Sequence, residues 1–183
     1  AAIETQFHHL VRTVPGDGLL VVNGEEPALA SVITRGAWAP VERFGQELAN
    51  EWSLISQEND GFVVRKAGKE VATVKWAMDS GVMGRHNQLN ALAAIASANH
   101  IGISPADSAR ALAEFKNVKR RLETIGVAND ITVYDDFAHH PTAITTTVDG
   151  LRRRVGKARI LAVLEPRSNT MKLGVMKAQL PGS

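Results

Sequence analysis

The stretch Val133-Tyr134-Asp135-Asp136-Phe137-Ala138-His139-His140-Pro141 sets two carboxylates beside two imidazoles. Carboxylates accept hydrogen bonds from sugar hydroxyls, and imidazoles move protons near neutral pH. Ile131, Val133 and Tyr134 are strand formers, and Pro141 suits the first position of a helix. Beyond it Ile144, Thr147, Val148, Leu151 and Val155 recur at helical spacing until Gly156. The ionisable cluster is thus expected at the carboxyl end of a strand and the start of a helix. Open α/β sheets bind ligands there, and the helix end favours anions such as phosphate. The plainer alternative is that Asp135 and Asp136 only cap the helix and the histidines are solvated.

Three other stretches could carry chemistry. Gly84-Arg85-His86-Asn87-Gln88-Leu89-Asn90 leads into an Ala-rich helix running to about Asn99. Asn87 can cap that helix, and Asn87 and Asn90 share one face of its first turn. An asparagine amide both donates and accepts, which matches the edge of an adenine. Lys119-Arg120-Arg121-Leu122-Glu123 is a basic stretch that turns into a strand. Ala158–Leu164 reads as a continuous apolar strand and runs into Glu165-Pro166-Arg167-Ser168-Asn169-Thr170, where an arginine can grip a carboxylate with both nitrogens.

The elements that must position these groups follow from the rest of the chain. Ile3, Phe7, Leu10, Val11 and Val14 form the stripe of a helix ending at Pro15-Gly16; His8 and His9 point away from it and, being adjacent, do not form a metal pair. Leu19–Val22, Pro27–Thr34 (with Leu29, Ala30, Val32 and Ile33 inward) and Val41–Gly45 read as a β-α-β unit. Trp52–Ser56, Gly61–Lys66 and Glu70–Trp76 read as a meander, the last two a hairpin about Ala67-Gly68, at a sheet edge or in a small second sheet. Ser104-Pro105-Ala106-Asp107 starts another helix, with Ala109, Leu112, Ala113 and Phe115 inward, ending near Asn117. Lys116–Lys119 is the expected domain boundary.

Composition narrows the field. The 183 residues suffice for one large or two small domains and contain no cysteine, so disulfides, thiolate metal sites and a cysteine nucleophile are excluded. No apolar run is long enough to span a membrane. The net charge is only +2, and the basic clusters Lys116–Arg121 and Arg152–Arg159 lack the interleaved aromatics of a single-strand nucleic-acid groove. A chain opening on an amphipathic helix without Met is expected to begin partway through a larger protein, and both ends read as cut.

Taken in order, Gly84–Asn90 with its Ala-rich helix, Lys119–Glu123, and Tyr134–Pro141 resemble the Mur ligases, the ATP-dependent amide ligases that build the peptidoglycan peptide stem. Asp-Asp-Phe-Ala-His-His-Pro resembles the branch acting on UDP-N-acetylmuramate. Leu164–Lys172, together with Phe7-His8-His9-Leu10, resembles those members that join the tripeptide L-alanyl-γ-D-glutamyl-meso-diaminopimelate to that sugar in peptidoglycan recycling. The sibling that adds free L-alanine is the first alternative, and a non-catalytic nucleotide- or nucleic-acid-binding module the second.

The resemblance implies an α/β chain made of a partial central ATPase domain, residues 1–117, and the start of a Rossmann-like C-terminal domain, residues 118–183. It implies ATP with Mg²⁺, the magnesium ligands falling in an upstream segment that also carries the phosphate loop, so the fragment alone is expected to be inactive. It assigns His86, Asn87 and Asn90 to the adenine side, Arg121 to nucleotide phosphate and Asp136 to the ribose. His139 and His140 face the reaction centre, and Arg167, Ser168, Asn169 and Thr170 hold the tripeptide. The implied partners are UDP-N-acetylmuramate and the murein tripeptide, in the bacterial cytoplasm, with neither nucleic acid nor membrane.

Overall fold

The computed structural model describes residues 2–77, 81–82 and 84–165. They fall into two compact units, Ala1–Ala77 with Asn87–Glu114, and Met78–His86 with Phe115–Ser183. No helix among the described residues is long and apolar enough to cross a membrane.

The first unit is built on a five-stranded sheet in the order β1 (Leu20–Asn23), β2 (Val41–Gly45), β3 (Trp52–Ser56), β4 (Phe62–Lys66), β5 (Lys69–Val74). β1, β2 and β3 are parallel, and β3, β4 and β5 are antiparallel. Of the two expected placements, the meander takes the first: it extends one side of the sheet to the β5 edge and is not a separate sheet. β3 pairs with β2 through Phe44–Trp52 and Gly45–Ser53 and carries the same sheet into the hairpin. The β4–β5 turn needs positive φ at both central residues, 49° at Ala67 and 77° at Gly68, the geometry that matches strand twist.

The core lies over the antiparallel half. Trp52, Leu54, Phe62, Val64 and Val74 project from one sheet face onto Ala91, Leu92, Ile95 and Ala96 of α3 (Arg85–His100) and Ala109 of α4 (Pro105–Ala113). The small alanines let helix and sheet approach closely. Buried Trp52 donates its indole N–H to Glu42 at 2.6 Å, while the Lys66 ammonium sits 4.7 Å from its ring and donates to Asn99 at 2.7 Å. α4 starts on the expected Ser104 N-cap: Asp107 N donates to Ser104 Oγ at 3.1 Å, and Ser104 Oγ donates to the Asp107 carboxylate at 2.6 Å.

Several expectations need correction. α1 (Ala2–Val11) ends three residues before Val14 because Thr13 and Val14 close back onto Leu10 and Val11 in tighter turns. Its Ile3, Phe7 and Leu10 are exposed and only Val11 is buried. His8, which points away from that stripe, is half-buried and meets Trp38 edge-on at 6.0 Å. β1 is half-buried, as its edge position dictates. Ala30 of α2 (Pro27–Thr34) and Phe115 are exposed, the latter because α4 stops at Ala113.

The second unit contains the antiparallel pair β6 (Glu123–Ala128) and β7 (Ile131–Asp135), then α5 (Pro141–Val155), which ends at Gly156 as expected. Residues 159–165 form no strand. Leu161 is 78% and Val163 91% exposed, with no strand paired to them among the described residues. A continuous apolar run becomes a buried strand only where a sheet receives it on both faces. The arginine cluster is largely solvated helix surface, although Arg152 turns back to donate to the carbonyls of Gly156 and Ala158, each at 2.7 Å.

Candidate functional site

The predicted site residues lie on two stretches of the chain. The first is the opening turn of α3, with Asn87 and Asn90 in the first unit and His86 in the second. The helix begins at Arg85, so Asn87 is its third residue and does not cap it. Gly84, at φ +87°, makes the break that starts the helix earlier, and a side chain there would press on the His86 ring. Asn87 is half-buried and Asn90 is exposed, its amide making no hydrogen bond among the described residues. Both flank the inward stripe of Gln88, Ala91, Leu92, Ile95 and Ala96.

Gln88 is the residue in this turn that sequence reasoning passed over. It is 3% exposed, at a stripe position where the helical period asks for an apolar side chain. Carbonyls only accept, so its NH₂ faces the Asp60 and Gly61 carbonyls at 2.9 and 3.2 Å, and its oxygen accepts from Ser56 Oγ at 2.8 Å. The one signal in the sequence was that break in the apolar stripe.

In the second unit the carboxylates lie where β7 ends. Asp136 Oδ2 accepts Leu122 N–H at 2.9 Å and Oδ1 accepts Ala138 N–H at 2.7 Å, with Thr147 Oγ1 at 3.5 Å. It ties the β7–α5 turn to the chain entering β6, where Arg120 and Leu122 are held at φ +60° and +48°. Such backbone conformations in non-glycine residues cost about 1–3 kcal/mol each and persist only when their surroundings fix them. Asp135 pairs with Arg120 Nε at 3.1 Å, and the Arg120 guanidinium also lies 5.0 Å from the Phe137 ring. Neither aspartate caps α5. Each Asp136 oxygen keeps acceptor capacity, since a carboxylate offers about four lone-pair sites.

The two histidines are both exposed but differ in role. His140 is the N-cap of α5, its Nδ1 accepting Thr142 N–H at 3.3 Å, so Nδ1 carries no proton and the neutral ring presents Nε2–H as a donor. His139 Nδ1 lies 2.9 Å from the Phe137 carbonyl, which requires the proton on Nδ1 and leaves Nε2 of the neutral ring as a proton acceptor. Arg121 is exposed, and its carbonyl accepts from Asn117 Nδ2 at 2.5 Å, the same amide that donates to Gly81 at 2.9 Å. Arg167, Ser168, Asn169 and Thr170 lie outside the described residues. Among the described residues no group of three or more His, Asp or Glu is placed to hold a metal ion.

Comparison with known proteins gives these sets a context. Residues 1–98 match the Mur ligase middle domain, and residues 120–180 match the domain described as Mur ligase, glutamate ligase domain. The chain is 49% identical over 179 residues to the UDP-N-acetylmuramate–L-alanyl-γ-D-glutamyl-meso-2,6-diaminoheptandioate ligase of Haemophilus influenzae, covering 96% of this chain and 38% of that protein. It is 47% identical over 183 residues to the protein of the same name from Escherichia coli, covering 100% and 39%. The chain thus spans under two fifths of these relatives. UDP-N-acetylmuramate–L-alanine ligases from several bacteria match at 29–36% identity. Among solved structures, a murein peptide ligase from Psychrobacter arcticus superposes with a TM-score of 0.69 at 43% identity, covering 98% of this chain and 38% of that one.

Proposed function

This chain belongs to the Mur ligase family, and from that premise we propose that the full-length protein joins L-alanyl-γ-D-glutamyl-meso-diaminopimelate to UDP-N-acetylmuramate at the expense of ATP. The observation that carries the choice is the identity of 47–49%, along essentially the whole chain, to ligases named for that tripeptide, against 29–36% to ligases named for L-alanine. The reaction belongs to peptidoglycan recycling in the bacterial cytoplasm. Residues 1–117 are assigned to the central ATP-binding domain and 118–183 to the C-terminal domain.

Each set, taken by itself, offers groups that a nucleotide can use. The Asn90 amide is free to pair with an adenine edge, with Asn87 and His86 beside it in sequence. Asp136 has lone pairs left for ribose hydroxyls after its two backbone bonds. Arg121 is an exposed cation for phosphate. The described residues contain no candidate magnesium cluster, so no metal ligand is assigned to them.

The proposed chemistry has two steps. A carboxylate oxygen of UDP-N-acetylmuramate attacks the γ-phosphorus of ATP, and ADP leaves. The tripeptide amine then attacks the acyl carbon; phosphate leaves and the nitrogen loses a proton. His139, with Nε2 unprotonated, is suited to take that proton, and His140, with Nε2–H, to donate a hydrogen bond to an oxyanion. Arg167, Ser168, Asn169 and Thr170 are assigned to the tripeptide.

The test is phosphate release by the full-length protein with UDP-N-acetylmuramate and ATP-magnesium, comparing the tripeptide with L-alanine. Release with the tripeptide, lost in Arg167→Ala, is the expected result. Release with L-alanine alone would transfer the protein to the sibling activity.

A further inference from the structure

Gln88 makes three hydrogen bonds from inside the protein, yet the loop it touches does not depend on it. The Asp60 carbonyl already accepts Trp76 Nε1–H at 3.0 Å, and the Gly61 carbonyl already accepts Gln57 N–H at 2.7 Å. Each remains paired when Gln88 is removed. The turn, with Asp60 at φ +57°, is also braced by Trp76 on Phe62, with ring centroids 6.3 Å apart. The amide is therefore not there to satisfy the loop. What its three bonds define is the position and rotation of the first turn of α3 relative to the β3–β4 connection. An apolar side chain would pack at this position without fixing rotation, because dispersion contacts are non-directional whereas the planar amide has fixed donor and acceptor directions.

We propose that Gln88 is a positioning residue for base recognition: it orients the turn that carries Asn87 and Asn90 so that their amides meet the adenine edge. This rests on the adenine reading of those asparagines. Asn90 is exposed and unbonded, so nothing else fixes where its amide lies except the turn it rides on. Base-reading groups must be held to about 0.5 Å by the shell behind them, and Gln88 lies two residues from Asn90 and one from Asn87 in that shell.

The test uses steady-state kinetics of the full-length protein with ATP and with GTP. Gln88→Met keeps the volume and leaves both carbonyls their other donors, so it is expected to fold. It is expected to raise KM for ATP about tenfold and leave kcat within about twofold, with KM for GTP unchanged, so that discrimination between the bases falls about tenfold. In an Asn90→Ala background the same change is expected to add less than about twofold, since a positioning residue has nothing left to position. Ser56→Ala, which removes only the hydroxyl donor to Gln88, is expected to act in the same direction by about threefold and keeps the test open should Gln88→Met misfold. An equal rise in KM for both nucleotides, or an undiminished effect in the Asn90→Ala background, would overturn the proposal. Asn90→Ala with an unaltered KM for ATP would instead remove the adenine reading, and the proposal with it.

Discussion

The two units solve the same problem, fixing a polar turn beside the end of a strand, by opposite means. In the first, the turn of α3 is anchored to a close-packed core in which Trp52, Phe62, Val64, Val74, Leu92 and Ile95 are essentially inaccessible. A single buried amide then sets the turn's rotation. In the second, the β6–β7 hairpin leaves Ile125, Val127, Ile131 and Val133 exposed, and its geometry is fixed by Asp136, Asp135 and Arg120. A unit held by apolar packing keeps its stability when one hydrogen bond is lost, even where that bond aims a side chain. A unit held by a polar knot does not.

That contrast can be broken by substitution. Phe62→Ala or Leu92→Ala is expected to cost about 3–5 kcal/mol of unfolding free energy, measured by urea titration, whereas Val127→Ala or Ile131→Ala costs less than about 1 kcal/mol. Comparable losses in the two sets would contradict the division. Asp136→Ala should cost about 1–3 kcal/mol through two backbone N–H groups left without an acceptor. Hydrogen exchange should speed up at Leu122 and Ala138 and stay unchanged at Leu92. The His140 cap is a smaller effect: His140→Ala is expected to cost about 1 kcal/mol, and His140→Asn, which caps with a side-chain oxygen, to recover most of it.

The smallest expected effect lies in α4. The Ser104 hydroxyl, then the Arg110 guanidinium, hold the Asp107 carboxyl below the usual carboxylate range. A carboxylate with a depressed folded pKa contributes stability above its unfolded pKa and loses it as pH falls through the folded value. Asp107→Asn should therefore be slightly less stable than the parent at neutral pH and indistinguishable from it in strong acid. A gap that widened toward acid would reverse the sign.

The same contrast explains what could be read from the residues alone. Local signals were reliable where the structure is decided locally. Pro27, Pro141, Ser104 and Gly156 mark helix ends, and the hairpin about Ala67-Gly68 follows from turn chemistry. Long-range pairing was less legible. The joining of the meander to β2 depends on Phe44 meeting Trp52, which no local pattern encodes. The apolar run at 158–164 has strand composition, but composition does not supply a neighbour. At the candidate site, the placement of Asp136 between β7 and α5 was legible from Pro141 and the preceding strand formers. Its bonds to Leu122 and Ala138 were not, because they depend on positive φ at Arg120 and Leu122, residues with no intrinsic preference for it. Asn87 was misplaced as a cap because Gly84 lets the helix begin before it.

The measurement that bears most directly on the proposed nucleotide role is kcat/KM for ATP against 2′,3′-dideoxy-ATP, in the full-length protein and in Asp136→Asn. If Asp136 accepts from ribose hydroxyls as well as from Leu122 and Ala138, the parent favours ATP by about tenfold or more, and Asp136→Asn narrows that ratio to within about threefold. A ratio that Asp136→Asn leaves unchanged would contradict the account and reduce Asp136 to the tie of the β7–α5 turn.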